Sequence, residues 1–251
     1  MRVALVALLM VLNVPAWAEE VVLGLSKDKV AITATFDGSE ILVFGAVKRE
    51  TAIPEEPLDV IVAVAGPEEP VVVRRKERRF GIWVNTESLE VDAAPSFYAI
   101  ATTRPMGEVL SNVEDLRHKV SIPRAIRSVG ATGVQDAQAF TDAVIRIRKA
   151  SGAYALREGT VALDQQTLFR TSIELPSNLT EGGYSARIFL TRKGKVVSKF
   201  ETTIDVQKVG LERWLYNLSR EMPLIYGLMS LAIAILAGWG ASAGFQALRQ
   251  R

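Results

Sequence analysis

The chain has 251 residues, of which 49% are apolar, and it carries a formal net charge of +2. This length and apolar content suffice for a sizeable core, and the nearly balanced charge argues against a nucleic-acid-binding protein. The complete absence of cysteine excludes disulfides, thiolate-bound metals and thiol catalysis.

Residues 1–18 have the features of a secretory signal peptide. Arg2 precedes a short apolar run, and Ala16 and Ala18 occupy the positions that a signal peptidase reads. The run is short for a membrane span. We therefore expect export and a mature chain that starts near Glu19, with an uncleaved first membrane helix as the alternative.

Residues 19–105 contain short β-type runs separated by turn residues, which is typical of an antiparallel sandwich. The predicted strands are Val21–Leu25, Val30–Phe36, Glu40–Val47, Leu58–Ala65, Val71–Arg75, Arg79–Asn85 and Phe97–Thr102. Seven strands in this length predict an immunoglobulin-like β-sandwich. The comparison is architectural only, because the cysteine pair of antibody domains is missing.

Residues 106–152 change to a helical period and are predicted to form a helical connector. A first short helix is expected over 106–116, where Val109, Leu110, Val113 and Leu116 recur at helical spacing. A second, amphipathic helix follows a capping box at Thr132 and Gln135 and ends near Gly152. Its apolar stripe consists of Val134, Ala137, Phe140, Val144 and Ile147. We expect this stripe to pack on a sheet; the alternative is a surface that binds a partner.

Residues 153–208 return to a β pattern and are predicted to form a second, smaller β domain. Its strands are expected at Thr160–Leu163, Thr167–Leu175, Gly183–Arg192 and Lys195–Gln207. Arg192–Lys195 supplies the turn between the last two. The fold class is therefore mainly β, with an amphipathic helix and a single C-terminal transmembrane helix.

The C-terminal region is predicted to hold the chain in a membrane. Residues 209–222 form an amphipathic juxtamembrane helix, residues 223–243 an uncharged span of about 30 Å, and residues 244–251 a tail. The span must be helical, because its backbone polar groups have no partners in hydrocarbon. Combined with export, a stop-transfer helix leaves the β domains outside and Arg249 and Arg251 in the cytoplasm.

Three features together resemble a known family. The stretches "LSKDKVAITATFDGSEILVFGAVKRE" (Leu25–Glu50) and "PSFYAIATTRP" (Pro95–Pro105) and the terminal anchor look like the alphaproteobacterial putative transmembrane protein family. The resemblance covers essentially the whole mature chain. It implies a Gram-negative inner membrane, a β-rich region in the periplasm and one C-terminal span. It carries no established activity and no assigned catalytic residues.

One charge cluster and one span pattern are the candidate partner-binding sites. The charge cluster could bind an acidic partner or anionic lipid headgroups. The alternative is a charged hairpin tip that keeps a strand edge soluble. It consists of Arg74, Arg75, Lys76, Arg78 and Arg79.

The span pattern consists of small residues, which let membrane helices approach closely; the alternative is a plain anchor with chance spacing. It consists of Ser230, Ala234, Gly238 and Ser242, together with the pair Gly240 and Gly244.

No motif in the sequence is typical of a particular reaction or cofactor. His118 is the single histidine in the sequence. One imidazole without cysteine does not complete the usual metal site, and no motif nominates a serine for a Ser-His-Asp triad. We therefore expect His118 at the surface. The favoured reading is a non-enzymatic periplasmic module, accessory to another membrane protein such as a transporter. The alternatives are an anchored hydrolase with paired acids, or a solute-binding module with Trp83 and Tyr98 as candidate platform residues, although both are expected in the core.

Overall fold

A computed structural model describes residues 19–33, 36–49, 52–127 and 136–249, with backbone alone at 211–213 and 243–249. The predicted signal peptide (1–18) and the capping-box residues Thr132 and Gln135 lie outside the described residues. The fold is mainly β with one C-terminal apolar helix, which confirms the predicted class.

Twelve strands and six helices occupy the described chain. The strands are β1 (Glu19–Leu25), β2 (Lys29–Ile32), β3 (Ser39–Arg49), β4 (Asp59–Ala65), β5 (Glu68–Arg79), β6 (Ile82–Pro95), β7 (Tyr98–Thr102), β8 (Tyr154–Arg157), β9 (Ala162–Asp164), β10 (Leu168–Leu175), β11 (Gly182–Arg192) and β12 (Lys195–Lys208). The helices are α1 (Met106–Val109), α2 (Asn112–His118), α3 (Ile122–Ala125), α4 (Ala137–Ala150), α5 (Leu211–Glu221) and α6 (Pro223–Arg249). Every predicted strand overlaps an observed one, and β8 is an additional strand.

The chain divides into two compact units. The first, called here the β unit, contains the described residues up to Val30 together with Asp37–Val206. The second, called here the anchor unit, contains the described residues of Ala31–Phe36 together with those from Gln207 onward.

The strands form two larger sheets and a two-stranded ribbon. The four-stranded sheet has the order β1-β3-β10-β9, the six-stranded sheet has the order β2-β12-β11-β4-β7-β8, and β5 pairs with β6. The β7–β8 pair is parallel. Because β3 pairs with β10 and β4 pairs with β11, the segments 19–105 and 153–208, predicted as two β domains, contribute strands to the same two sheets.

The core of the β unit lies on both sides of β4. This strand reads "DVIVAVA" and is buried along nearly its whole length, as expected for a strand that is covered on both faces. Ile61 and Ala63 belong to a cluster formed with the helices, so Val60, Val62 and Val64 face the opposite way. On that opposite side, β10 of the four-stranded sheet contacts β7 of the six-stranded sheet.

The helices cover the other side of the six-stranded sheet. Phe140 and Val144 of α4 are buried, and the helix contacts β5, β6 and β8, so this part of the predicted stripe packs on strands. Ile147, also predicted to pack, is 60% exposed, and Val134 lies outside the described residues. Asp136 is the N-cap and accepts from the Ala139 amide, while Gly152 adopts positive φ just after the helix. The predicted end at Gly152 is therefore confirmed.

The helix predicted over 106–116 is divided into two. Leu110 is extended, and Ser111 caps a new helix by accepting a hydrogen bond from the Glu114 amide. This break changes the helical phase, so Val113 and Leu116 are exposed instead of joining Val109 in the core. The break could not be predicted from the apolar spacing, because that spacing does not show where an N-cap begins a new helix.

The anchor unit contains α5 and α6. Met222 has a non-helical backbone between them, and Pro223 begins α6, where a missing amide proton has no cost. Pro223–Ser242 is long and apolar enough to cross a membrane, with a mean hydropathy of 1.9. None of this segment is buried within the described structure.

Candidate interaction surfaces

The basic cluster lies on the ribbon formed by β5 and β6. The ribbon turns at Phe80 and Gly81, both of which have positive φ, and Arg79 pairs with Ile82 across the turn. Two consecutive residues with positive φ match the twist of a tight hairpin. The cluster therefore lies on the β5 strand of a hairpin, along the stretch that leads to the turn.

The base of the ribbon is fixed to the body of the β unit. Leu89 and Val91 are buried at the base. Further out, the Arg75 guanidinium lies 3.0 Å from a Glu87 carboxylate oxygen and 3.2 Å from an Asp136 carboxylate oxygen. The same guanidinium stacks on the ring of Phe140 in α4, 4.8 Å from its centroid. Arg75 is thus engaged in structure and does not belong to the free part of the cluster.

The other four cations of the cluster are mostly free of ion pairs. Arg79 lies 3.4 Å from the Glu77 carboxylate, whereas Arg74, Lys76 and Arg78 form no ion pair within the part of the chain that the structure describes. All four of these side chains are exposed. The cluster therefore presents a set of uncompensated positive charges around the ribbon.

The ribbon tip also exposes three large apolar side chains. Phe80 is fully exposed at the turn, Ile82 is 64% exposed and Trp83 is 69% exposed. The expectation that Trp83 belongs to the core is wrong, because the strand carrying it extends past the last anchored residue. Phe80 and Ile82 were not singled out from the sequence, although the Phe-Gly pair between two β runs is a hairpin signal.

The outer face of the four-stranded sheet carries a second exposed apolar surface. Alternation along the strands places Val22, Leu42, Phe44 and Leu168 on this face, where all four are exposed. Sequence reasoning did not nominate them. The available signal was the run Ile41–Phe44, which is apolar at both alternating positions and so cannot bury every side chain in one core.

Three of these residues, Val22, Phe44 and Leu168, line a groove of about 460 Å³. The Phe44 ring lies across the neighbouring strand at Gly24, where an added Cβ would come within 2.4 Å of the ring. Glycine therefore makes room for the ring. Asp164 and Arg170 supply the polar part of the lining, and every lining residue belongs to the four-stranded sheet.

The small residues of the span occupy α6. Ser230, Ala234, Gly238 and Ser242 recur every fourth residue, so a helix of 3.6 residues per turn places them along one side. The Gly240 and Gly244 pair lies on a different side of the helix, because two residues advance an α-helix by about 200°. At Gly238 and Gly240 an added Cβ would meet nothing within 4 Å in the described structure.

Tyr98, the other residue considered for solute binding, contributes to the wall of a charged cleft of about 380 Å³. Tyr98 is in the core, as expected. Its hydroxyl donates to the Val120 carbonyl at 2.8 Å and accepts from Arg187 at 2.6 Å. Burial raises the pKa of Tyr98 to about 12, against an opposing effect of Arg187. The phenol remains neutral near pH 7 and serves to join β7 to β11 and the end of α2.

His118 and the carboxylates are arranged in pairs. His118 is half-buried, contrary to the expected surface position, with its Nε2 atom 3.4 Å from Glu114 and its ring 5.6 Å from that of Phe189. Of the described residues, no group of three or more His, Asp or Glu side chains is placed to hold a metal ion. The buried carboxylate of Asp59 forms a two-pronged hydrogen-bonded pair with Arg104.

The β-rich architecture and the single apolar helix of membrane-crossing length define the class of a membrane protein with a folded β domain. Within this class, the chain belongs to the family described as "Putative transmembrane protein (Alph_Pro_TM)", whose profile matches residues 20–247. This match confirms the family resemblance seen in the sequence. No curated protein matches the chain.

Proposed function

We propose that the protein is a non-enzymatic, single-pass inner-membrane protein whose β unit docks another membrane protein, such as a transporter. The observation that carries this proposal is the apolar groove on the outer face of the four-stranded sheet. Exposed apolar patches rimmed by polar groups are typical of protein interaction sites, because leaving them in water has a continuing free-energy cost.

The groove has the anatomy of a small docking site. Phe44 is a large, rigid aromatic residue. Because Gly24 has no side chain, the Phe44 ring can lie against the sheet. Anchors of this kind contribute much of the affinity in protein interfaces when a partner buries them. Arg170 and Asp164 add a polar rim, which is the usual surrounding of an apolar interface centre.

The small-residue stripe of α6 supplies a second contact in this proposal. The residues Ser230, Ala234 and Gly238 offer a surface on which another membrane helix could pack closely. Two linked contacts reinforce each other, because the first makes the second an intramolecular event. A modest affinity at each surface is therefore sufficient.

The proposed orientation places the β unit in the periplasm and the C-terminus in the cytoplasm. It is supported by the signal-peptide pattern at 1–18 and by the apolar helix that would stop transfer. Arg249 beyond the span agrees with the excess of positive charge on the cytoplasmic side.

The arrangement of the buried acids favours an interaction role over hydrolysis. Glu19 and Asp59 are buried, and each is paired with arginine, while Glu114 pairs with Arg117. A general acid would need a carboxyl whose surroundings raise its pKa, whereas for Glu19 the raising effect of burial is outweighed by Arg192 and Arg49, which lower the pKa. These carboxylates are therefore assigned to structure.

Site-specific photo-crosslinking tests the docking site. A photoreactive amino acid at Phe44 is compared with the same group at Val197, an exposed position on β12 of the other sheet. The proposal predicts one discrete membrane-protein adduct from position 44 and none from position 197. Adducts of equal yield from both positions, or no adduct from position 44, would contradict it.

A further inference from the structure

The tip of the β5–β6 ribbon carries large apolar and cationic side chains side by side. Arg79 pairs with Ile82 and Arg78 pairs with Trp83 directly across the ribbon, and Phe80 lies beyond them at the turn. Neighbouring residues of a strand point to opposite faces, so each face of the tip presents one of these cation–apolar pairs.

The ribbon presents this tip in a fixed way. Arg75 is the outermost anchored residue, through Glu87, Asp136 and the Phe140 ring. Four more residues lead from Arg75 to Arg79, so the turn lies about 13 Å beyond the anchor. Positive φ at both Phe80 and Gly81 keeps the turn tight. The tip is thus a paired, projecting element and not a loose loop.

A solubilising role accounts for only half of this composition. Cations at an exposed hairpin prevent edge-to-edge association, but that role does not require three large apolar side chains beside them. Aromatic side chains prefer the headgroup region of a bilayer, and cations next to them contact anionic lipid. The tip combines both kinds of side chain, which is the composition that an anionic membrane surface binds.

We propose that residues 76–83 insert into the surface of an anionic phospholipid bilayer. Phe80, Ile82 and Trp83 enter the headgroup region, and Lys76 and Arg78 contact lipid phosphates. A bilayer engages all sides of a projecting tip at once, whereas a protein partner would cover one face. Anchoring by α6 keeps the lipid surface at high local concentration. This inference is independent of the groove and of the proposed docking role.

The absence of native cysteine permits a direct test in the full-length protein. A nitroxide attached through Ile82→Cys reports the tip, and one attached through Val72→Cys, an exposed position nearer the base, is the control. Both are measured in lipid nanodiscs containing anionic phospholipid. We expect the label at 82 to be accessible to oxygen and shielded from a water-soluble nickel chelate, with the reverse at 72. Equal accessibility to nickel at both positions would overturn the proposal.

The charge contribution is measured with the same labels. Lys76→Gln and Arg78→Gln keep a polar, unbranched side chain and remove one free cation each, so the ratio of inserted to aqueous label at position 82 should fall about fivefold per substitution. Nanodiscs of purely zwitterionic lipid should have a similar effect. A label that is aqueous in nanodiscs but buried in native membranes would assign the tip to a protein partner and contradict the inference.

Discussion

At the scale of single residues, Glu19 forms the most completely buried ionic group of the β unit. One carboxylate oxygen lies 2.7 Å from Arg49 and 2.7 Å from Arg192, and all three side chains are at most 7% exposed. Arg49 belongs to β3 and Arg192 to β11, so the carboxylate links the two larger sheets. Two buried cations depend on this one anion.

Replacing the carboxylate should destabilise the β unit strongly. Glu19→Gln leaves Arg49 and Arg192 buried without a counter-charge, and losing one member of a buried pair typically costs about 3 kcal/mol or more. Thermal unfolding of the detergent-solubilised protein, followed by circular dichroism, measures the loss. Glu20→Gln is the matched control, because its partner Lys48 is exposed and such pairs contribute little. Equal melting temperatures for the two variants would contradict this role.

The same carboxylate predicts a dependence of stability on pH. Burial raises the pKa of Glu19, but hydrogen bonds and charge from Arg192 and Arg49 outweigh this effect and hold it below 4.5. A depressed folded-state pKa means that the stabilisation is complete above about pH 4.5 and is lost as pH falls through the folded value. The melting-temperature difference between wild type and Glu19→Gln should therefore shrink below pH 4.5. A difference that stays constant down to pH 3 would show that the charge is not responsible.

At the scale of elements, Gly238 tests whether α6 packs against another helix. Gly238→Leu adds bulk to the small-residue stripe while keeping the span apolar and helical, and no described residue of the chain obstructs it. We expect co-purification of the membrane partner to fall severalfold, with protein level and insertion unchanged. The control Leu236→Ile conserves volume elsewhere on the helix. Equal recovery from both variants would make the span a plain anchor.

Local chemistry determines which elements were predictable. The hairpin turn between β11 and β12 was foreseen, and Lys193 and Gly194 both have positive φ there. The four-residue strand β8 was missed, because so short a run has no clear period and is defined by its parallel pairing with β7. The exposed Trp83 was assigned to the core for a related reason: alternation shows which face a residue shares, but not where a ribbon leaves the body.

At the scale of the whole molecule, the sequence could not specify how the strands associate. Alternation in β3 and β10 predicts two half-buried strands, and the observed pairing of Phe44 with Arg170 and of Val43 with Thr171 is a property of the folded chain. Hydrophobic period sets the buried face of a strand but leaves its partner open. The groove at Phe44 depends on this pairing, so it too was beyond sequence reasoning.

The predicted membrane topology, with the β unit outside the cytoplasm and the C-terminus inside it, can be tested on the whole chain. A reporter that fluoresces only in the cytoplasm should be dark when fused after Lys208 and bright when fused after Arg251, because export of the β unit followed by a stop-transfer helix puts the two fusion points on opposite sides. The two fusions serve as each other's control. A dark reporter after Arg251 with normal protein level would reverse the proposed orientation.

The central claim is that the β unit docks a membrane protein through the groove at Phe44. The most direct measurement is quantitative co-purification from native membranes with wild type, Phe44→Ser and the control Val197→Ser. We predict that one membrane protein is recovered with wild type and Val197→Ser and is reduced at least tenfold with Phe44→Ser, since the substitution removes the aromatic anchor from an already exposed site. Recovery of the same proteins in equal amounts from all three, or of the chain alone, would contradict the claim.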